Sequence, residues 1–242
     1  MKIAVIDCGT NTFTLSLFEI DASKKFTRNL KDRHYVELAE EGINTIGPKP
    51  FQRGIEAFRA FHDFLKSDPT IKTFAIGTAA LRRASNSAAF LNAVETASGI
   101  RIQIIDGARE ADLIYKGVRA AAPLGAAPSL IMDIGGGSVE FIIANEKQVY
   151  WAKSFPIGVA VLFKKFHHSD PINQTNQKEL NAYLEAQLSD LIEHLNTHSI
   201  EHLIGASGSF DVLDNLNGAK NKSALYGFID RNNFSRICQQ LV

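Results

Sequence analysis

The residues best suited to chemistry in this sequence surround a run of three glycines. Asp133 ends a short apolar segment at residues 129–132, and Glu140 follows the glycines within an alternating apolar and polar stretch. This order predicts two strands joined by a tight turn, whose backbone N–H groups form a concave surface suited to an anion such as phosphate. A glycine-rich turn without a ligand fits the same pattern about as well, because such motifs are weak on their own. The turn residues that would bind phosphate are Gly135, Gly136, Gly137 and Ser138.

A second copy of this pattern opens the chain. Residues 3–13 read I-A-V-I-D-C-G-T-N-T-F, and Asp7 matches Asp133 at an offset of 126 residues. The same offset pairs Asn11 with the third glycine and Thr12 with the serine that follows it. Because internal repeats fix architecture, the sequence predicts two related halves whose turns face each other and bind phosphate together.

Two arginines, Arg82 and Arg83, follow a predicted strand at residues 73–77. Ligands of open α/β sheets usually bind at the carboxyl ends of strands, where arginines can hold phosphate oxygens bidentately. A solvated pair of charges at the start of a helix explains the same two residues equally well. Phosphate binding by this pair is therefore one of two open interpretations.

Carboxylates at four positions are candidates for catalysis or metal binding. Glu110 lies in the first turn of a helix predicted at residues 108–121, where a general base could activate water, although stabilising the helix dipole is the commoner role. Asp7, Asp133 and Glu140 flank the two turns, and carboxylates beside phosphates commonly hold Mg²⁺. For the two aspartates, capping of a tight turn is the structural alternative.

One further phosphate contact is predicted at Gly208, within the sequence G-A-S-G-S at residues 205–209. This segment follows a predicted strand and opens a predicted helix, and amides at a helix N-terminus can bind phosphate. Ordinary capping by Ser207 or Ser209 explains the segment almost as well.

The elements that must position these residues occur in a similar order in both halves. Each half begins with strand, turn and strand, and the first half continues with helices and strands to residue 121. The segment at residues 120–128 is small, uncharged and punctuated by Pro and Gly, so it predicts a boundary between domains at 1–122 and 129–242. Strands are also predicted at residues 26–30 and 34–38. A final strand and helix of the first half have no counterpart in the second, which is expected to be incomplete.

Composition excludes several classes of protein. The chain has 242 residues, with 26 basic and 26 acidic side chains, so the basic excess of a general nucleic-acid binder is missing. No apolar stretch reaches the length of a membrane span, and the N-terminus enters a strand without a signal peptide. The two cysteines, Cys8 and Cys238, form no disulfide framework. Reduced thiols and a cytoplasmic location are therefore expected.

Taken together, six motifs resemble the exopolyphosphatase/guanosine pentaphosphate phosphohydrolase (Ppx/GppA phosphatase) family of the actin–sugar kinase–heat-shock-70 superfamily. The match runs through nearly the whole chain. In chain order the motifs are I-D-C-G-T-N-T-F at 6–13, G-T-A-A-L-R-R-A-S-N at 77–86, I-D-G-A-R-E-A at 105–111, D-I-G-G-G-S-V-E at 133–140, F-P-I-G at 155–158 and G-A-S-G-S at 205–209.

The resemblance implies an α/β fold of two ribonuclease-H-like (actin-like ATPase) domains, with mixed five-stranded sheets, flanking helices and an active site between the domains. It also implies Mg²⁺-dependent hydrolysis of the terminal phosphate of inorganic polyphosphate or of the 5′ γ-phosphate of guanosine pentaphosphate. The family's catalytic Glu falls on Glu110, its metal- and water-associated acids on Asp133 and Glu140, and a phosphate-binding arginine on Arg82 or Arg83.

Three positions depart from the family pattern. Arg109 stands where a second Glu is usual and would lower the pKa of the neighbouring base. Val139 replaces a usual Thr, and Ser207 replaces a usual Gly. Family chains also run some tens of residues further, which agrees with the incomplete second half.

Rival functions remain open at this stage. A kinase of the same superfamily would use the same fold for ATP and an acceptor, and a non-catalytic phosphate or alarmone sensor would bind without turnover. The sequence does not separate polyphosphate from guanosine pentaphosphate, since both end in a phosphoanhydride. It also leaves open whether the chain forms a homodimer.

Overall fold

A computed structural model of the chain describes residues 1–218, 223 and 225–241. These residues form two compact units. The first unit contains Met1–Gly107, Gly135–Ser138 and Pro156–Ala182, and the second contains Ala108–Ile134, Val139–Phe155 and the described residues from Tyr183 onward. Each unit combines several separate stretches of the chain, so the units do not test a single boundary in the sequence. The domain boundary at residues 122–129 stays a prediction.

Strands and helices alternate along the described chain. The strands are β1 Lys2–Cys8, β2 Thr12–Ile20, β3 Phe26–Tyr35, β4 Lys72–Gly77, β5 Ile102–Ile104, β6 Ser129–Ile134, β7 Val139–Ala144, β8 Val149–Phe155 and β9 His202–Ala206. The helices are α1 Pro48–Leu65, α2 Ala79–Arg83, α3 Ser87–Ser98, α4 Gly107–Ala121, α5 Val159–Phe166, α6 Gln174–Gln187, α7 Ser189–Thr197, α8 Gly208–Asn217 and α9 Arg231–Leu241.

The sheet of the first unit has five strands in the order β3-β2-β1-β4-β5. Strand β1 pairs antiparallel with β2 and parallel with β4, so the sheet is mixed. Strand β3 is one continuous strand, which corrects the prediction of separate strands at residues 26–30 and 34–38. The charges at Lys31 to Arg33 do not interrupt it, because edge strands tolerate charged side chains.

Aromatic side chains form the core against one face of this sheet. Phe13 of β2 packs edge-on against Phe58 of α1, at 5.7 Å between ring centroids, and against Phe90 of α3, at 6.2 Å. All three rings are fully buried, and each contributes about 1.5–3 kcal/mol through burial. Proline in the first turn starts α1, and Gly99 ends α3 in the left-handed conformation with φ of 70°.

The sheet of the second unit repeats the first four strands of the first sheet. Its order is β8-β7-β6-β9, with β6 antiparallel to β7 and parallel to β9, as β1 is to β2 and β4. Helix α4 covers one face, where Ala111 and Tyr115 pack with Ile131 and Ile142. Within the described residues this sheet has four strands, so the five strands that the resemblance implies are present in the first sheet and not in the second.

The α/β fold predicted from the sequence, with two mixed sheets and flanking helices, is confirmed. In the described part of the chain, every helix is too short or too polar to cross a lipid bilayer.

Candidate functional site

The two turns predicted from the repeat are closed by the same hydrogen bond. In the first turn the N–H of Gly9 donates to the carbonyl of Thr12 at 3.0 Å. In the second turn the N–H of Gly135 donates to the carbonyl of Ser138 at 2.9 Å. Donor and acceptor are offset by 126 residues in both pairs, so the sequence repeat corresponds to a repeated backbone conformation.

Both turns belong to the first unit and lie directly against each other. A Cβ atom built on Gly136 would lie 2.8 Å from Oδ1 of Asn11 and 2.9 Å from Cβ of Thr10. One built on Gly137 would lie 2.7 Å from the hydroxyl oxygen of Thr10. These distances are shorter than real Cβ contacts, so only glycine lets the side chains of Thr10 and Asn11 pack this closely against the second turn.

The carbonyl side of the first turn is held by the segment after β3. The carbonyl of Thr10 accepts the N–H of Leu38 at 2.7 Å, and that of Asn11 accepts the N–H groups of Val36 and Glu37 at 3.0 and 2.9 Å. A trans peptide directs its C=O and N–H to opposite sides. The N–H groups of Asn11 and Thr12 therefore point away from this segment.

The carbonyl side of the second turn is held in the same way by helix α5. The carbonyls of Gly135 and Gly136 accept the N–H groups of Val159 and Ala160 at 3.0 and 2.9 Å. By the same peptide geometry, the N–H groups of Gly136 and Gly137 point away from α5. Each turn thus has its carbonyls fixed elsewhere and leaves two amides on its other side, as an anion-binding turn requires. Phosphate binding by these amides stays a prediction.

Sequence reasoning missed two residues that build this arrangement. Thr10 is 3% exposed and packs against the glycine turn. Gly158 lies so close that a Cβ there would be 2.5 Å from the carbonyl carbon and oxygen of Gly136. A signal for Gly158 was present in the F-P-I-G motif, but that motif gave no reason to place a helix after it.

The two arginines lie on α2 in different surroundings. Arg82 is half-buried, and its Nη1 donates to the carbonyl of Ile105 at 2.7 Å, which links α2 to the end of β5. Arg83 is exposed on the same helix. Phosphate binding by either arginine stays a prediction, and Arg82 has a structural contact in addition.

Asp7 lies next to the first turn, near the end of β1. Its position in the register is opposite Thr14 of β2 and beside Ile76 of β4. Burial, and then the charge of Asp7, raises the pKa of the neighbouring Cys8 thiol. Cys8 is thus neutral at physiological pH and acts as a buried apolar side chain, as expected.

The second unit contains the other acidic candidates. Asp133 and Glu140 are direct cross-strand partners on β6 and β7, so their side chains share one face of the sheet. Glu140 is 2% exposed and accepts a hydrogen bond from the hydroxyl of Ser154 at 2.6 Å. Burial raises the pKa of Asp133, and a hydrogen bond from Ser207 partly offsets that rise.

Helix α4 lies over the same face of this sheet and carries Glu110 in its first turn. Farther along α4, the hydroxyl of Tyr115 donates to the carbonyl of Asn145 at 2.9 Å, at the opposite end of the sheet from Asp133. Tyr115 is thereby fixed at the end of the sheet opposite Asp133, and Glu110 precedes it on α4.

Charged neighbours of Glu110 pair with one another. Arg109 donates to the carboxylate of Asp112, which also accepts a hydrogen bond from Lys116 at 2.9 Å. Lys116, followed by the charge and hydrogen bond of Arg109, lowers the pKa of Asp112. The expected effect of Arg109 on Glu110 stays a prediction.

Gly208 is the first residue of α8, and the space where its Cβ would lie is open. The predicted phosphate contact at this position therefore stays a prediction.

The described chain places the predicted site residues in two groups. The first unit holds Asp7, Asn11, Thr12, Arg82, Arg83, Gly135, Gly136, Gly137 and Ser138, and the second holds Glu110, Asp133, Glu140 and Gly208.

The acids of the second unit have the donor chemistry that Mg²⁺ requires. Among the residues that the structure describes, no three or more His, Cys, Asp or Glu side chains are grouped to hold a metal ion. Mg²⁺ usually takes only one or two carboxylates and completes its shell with water and phosphate oxygens. Asp133 and Glu140, on one face of the sheet, fit that requirement, and Asp7 as a third ligand stays a prediction.

Comparison with known proteins identifies close relatives. A sequence model of the Ppx/GppA phosphatase family matches residues 17–242. An exopolyphosphatase from Cytophaga hutchinsonii has a similar structure, with 33% identity and a TM-score of 0.93 over 100% of this chain and 80% of that one. An exopolyphosphatase-like protein has 26% identity and a TM-score of 0.81 over 90% and 69% of the two chains. The PPX-GPPA enzyme of Aquifex aeolicus shares the fold, with 24% identity and a TM-score of 0.71 over 90% and 71%.

Proposed function

Because the chain belongs to the Ppx/GppA phosphatase family, we propose that it is an exopolyphosphatase, which releases terminal phosphate from inorganic polyphosphate. Membership makes the chain a hydrolase of phosphoanhydrides. The observation that carries the proposal is the pair of adjacent turns in the first unit, whose amides suit the closely spaced negative charges of a phosphate chain. Identity of 33% over the whole chain to an exopolyphosphatase supports polyphosphate as the substrate.

The turns would bind the phosphate chain and stabilise charge in the transition state. Amides of Asn11, Thr12, Gly136 and Gly137 act as fixed donors, because hydrogen bonds on the carbonyl side hold each turn in place. Donors that need no reorganisation during the reaction are usually the largest single contribution to catalysis. Arg83, exposed on α2, is available to bind a neighbouring phosphate group.

Glu110 would orient and deprotonate the attacking water. It lies in the first turn of a helix packed over the sheet that carries Asp133 and Glu140. The oxygen of the water bonds to the terminal phosphorus, the bond from phosphorus to the bridging oxygen breaks, and the shortened polyphosphate leaves. In-line attack of this kind needs positioning and charge stabilisation more than covalent chemistry.

Asp133 and Glu140 would hold Mg²⁺, which when bound neutralises charge on the phosphate oxygens. The hydrogen bond from Ser154 orients Glu140 for that role. Burial of the two carboxylates favours a cation beside them, because a buried negative charge is costly without a counter-charge.

Phosphate release tests the proposal most simply. The purified chain is incubated with polyphosphate, guanosine pentaphosphate or ATP, each with Mg²⁺ or with EDTA. We expect release from polyphosphate that depends on Mg²⁺. Release from guanosine pentaphosphate alone would make the chain a guanosine pentaphosphate phosphohydrolase, transfer from ATP to an acceptor would make it a kinase, and calorimetric binding without release would make it a sensor.

A further inference from the structure

The backbone of Ser207 has a conformation that is almost reserved for glycine. Its φ is 77° and its ψ is 176°, just after the end of β9 and before α8. Among the residues that the structure describes, two other non-glycine residues have positive φ, Lys24 at 65° and Glu37 at 53°. Positive φ combined with ψ near 180° is disfavoured by the Cβ atom of every L residue, so Ser207 is under strain that a glycine would not have.

Comparison of the two halves of the repeat shows which contact the Ser207 side chain makes in this backbone conformation. The offset of 126 residues matches Ile134 with Cys8, and the strand registers then match Ser207 with Gly77. In the first unit the carbonyl of Cys8 accepts the backbone N–H of Thr78, at a long 3.4 Å. In the second unit the carbonyl of Ile134 accepts the side-chain hydroxyl of Ser207, at 2.9 Å. A side chain has taken over a contact that the backbone makes in the other copy.

The position of this contact is significant for the site. Ile134 is the last residue of β6, and the glycine turn begins at the next residue. The same hydroxyl lies near the carboxylate of Asp133, the residue before Ile134, and lowers the pKa of that carboxyl against the rise caused by burial. The hydroxyl that holds the Ile134 carbonyl is therefore also a neighbour of the Asp133 carboxylate.

We propose that Ser207 is a positioning residue for the reaction, in which a glycine-type backbone is retained so that the hydroxyl can hold the Ile134 carbonyl, directly before the glycine turn, in place. The proposal rests on the proposed function, because its kinetic consequence requires phosphate release. Its structural part concerns one hydroxyl and one backbone conformation, and both can be measured without substrate.

Two variants of Ser207 separate the hydroxyl from the backbone. Ser207→Gly and Ser207→Ala both remove the hydroxyl, but only Ser207→Gly relieves the backbone. We expect the thermal midpoint of the glycine variant to exceed that of the alanine variant by roughly 3–10 °C. Ser199, exposed ahead of β9 and not among the residues with positive φ, is the matched control, where alanine should be the more stable variant. Alanine more stable than glycine at Ser207 would overturn the backbone assignment.

The kcat of each Ser207 variant should depend on whether the hydroxyl is present and not on the thermal stability of the variant. Both Ser207 variants should lose about tenfold in kcat, the equivalent of one hydrogen bond, while KM for polyphosphate stays within about twofold. Both Ser199 variants should keep the kcat of the parent. Wild-type kcat in Ser207→Ala would refute the positioning role, since a purely structural contact would change only the thermal midpoint.

A spectroscopic measurement keeps the inference testable if the parent chain releases no phosphate. With ¹³C at isoleucine carbonyls and ¹⁵N at glycine, the five Ile–Gly pairs of the chain give cross-peaks. The Ile134–Gly135 peak, assigned by its loss in Ile134→Val, reports the hydrogen bond to the Ile134 carbonyl. We expect this peak to move in both Ser207 variants and to stay in place in both Ser199 variants. An unmoved peak would show that Ser207 does not hold this carbonyl, whatever reaction the protein catalyses.

Discussion

Substitution of Gly158 by alanine should disturb the glycine turn without replacing any residue that is proposed to contact substrate. The added Cβ would lie 2.5 Å from the carbonyl group of Gly136 and from the carbonyl carbon of Gly137. These are backbone atoms, so no flexible side chain can move aside. To restore an ordinary contact of 3.4 Å, the turn must retreat from α5 by roughly 0.9 Å.

This displacement has a stability cost and a catalytic cost. Overpacking of this kind destabilises by about 1–3 kcal/mol, which lowers the thermal midpoint by roughly 2–12 °C for a chain of this size. A misplacement of about 1 Å at a binding site can reduce the rate about 100-fold. We therefore expect Gly158→Ala to remain folded with a lower midpoint and to lose most of its phosphate release.

Gly117 is the matched control for this experiment. It lies in α4, where no atom approaches within 4 Å of the position its Cβ would take. Alanine in an exposed helix interior is favoured over glycine by about 0.5–1 kcal/mol, so Gly117→Ala should raise the thermal midpoint and leave phosphate release unchanged. If Gly158→Ala matched the parent in both midpoint and rate, the close approach of α5 to the turn would be unimportant for the site.

Three further predictions concern the charged residues. Glu110→Gln should lower kcat by about 10²- to 10⁴-fold in the phosphate-release assay with little change in thermal midpoint, and an unchanged rate would exclude Glu110 as the base. Burial raises the pKa of Asp133 above its ordinary 3.8, so the folded protein favours the neutral carboxyl. The contribution of this group to folding stability is therefore fully present below pH 3.8 and is lost as the pH rises through the raised pKa. Asp133→Asn should accordingly have a higher midpoint than the parent at pH 7 and an equal one at pH 3, and a lower midpoint at pH 7 would contradict the assignment. Arg82→Ala should lower the free energy of unfolding in urea by about 1–2 kcal/mol, because the hydrogen bond to the Ile105 carbonyl is lost. Arg83→Ala should change that free energy by less than about 0.5 kcal/mol and raise KM. Equal losses of stability in the two variants would show that the hydrogen bond of Arg82 adds no stability.

The features set by local sequence could be predicted well. The apolar segments before Asp7 and Asp133, with glycine two residues after each, predicted both hairpins, and the structure closes both with the same hydrogen bond. The helix that carries Glu110 was likewise predicted at residues 108–121, and the structure has it at Gly107–Ala121. Such patterns are visible because hydrophobic spacing reflects which face of each element is buried.

Features set by packing between distant segments could not be predicted. Gly158 lies 21 residues after Gly137, and only the structure shows that α5 begins against the glycine turn. The contact between Arg82 and Ile105 likewise depends on how α2 follows β4. The strained backbone of Ser207 follows from no local pattern, because serine at a helix start usually indicates an ordinary N-cap. Its one sequence signal is that Ser207 stands where the family pattern usually has Gly.

The most direct test of the central claim is to observe the amides of both turns as a phosphate chain binds. Glu110→Gln protein, labelled with ¹⁵N, is titrated with tripolyphosphate in the presence of Mg²⁺. We predict that the amide signals of Asn11 and Thr12 in the first turn, and of Gly136 and Gly137 in the second, shift together with one dissociation constant. Shifts confined to one turn, or absent from both while phosphate release persists in the parent chain, would contradict the account.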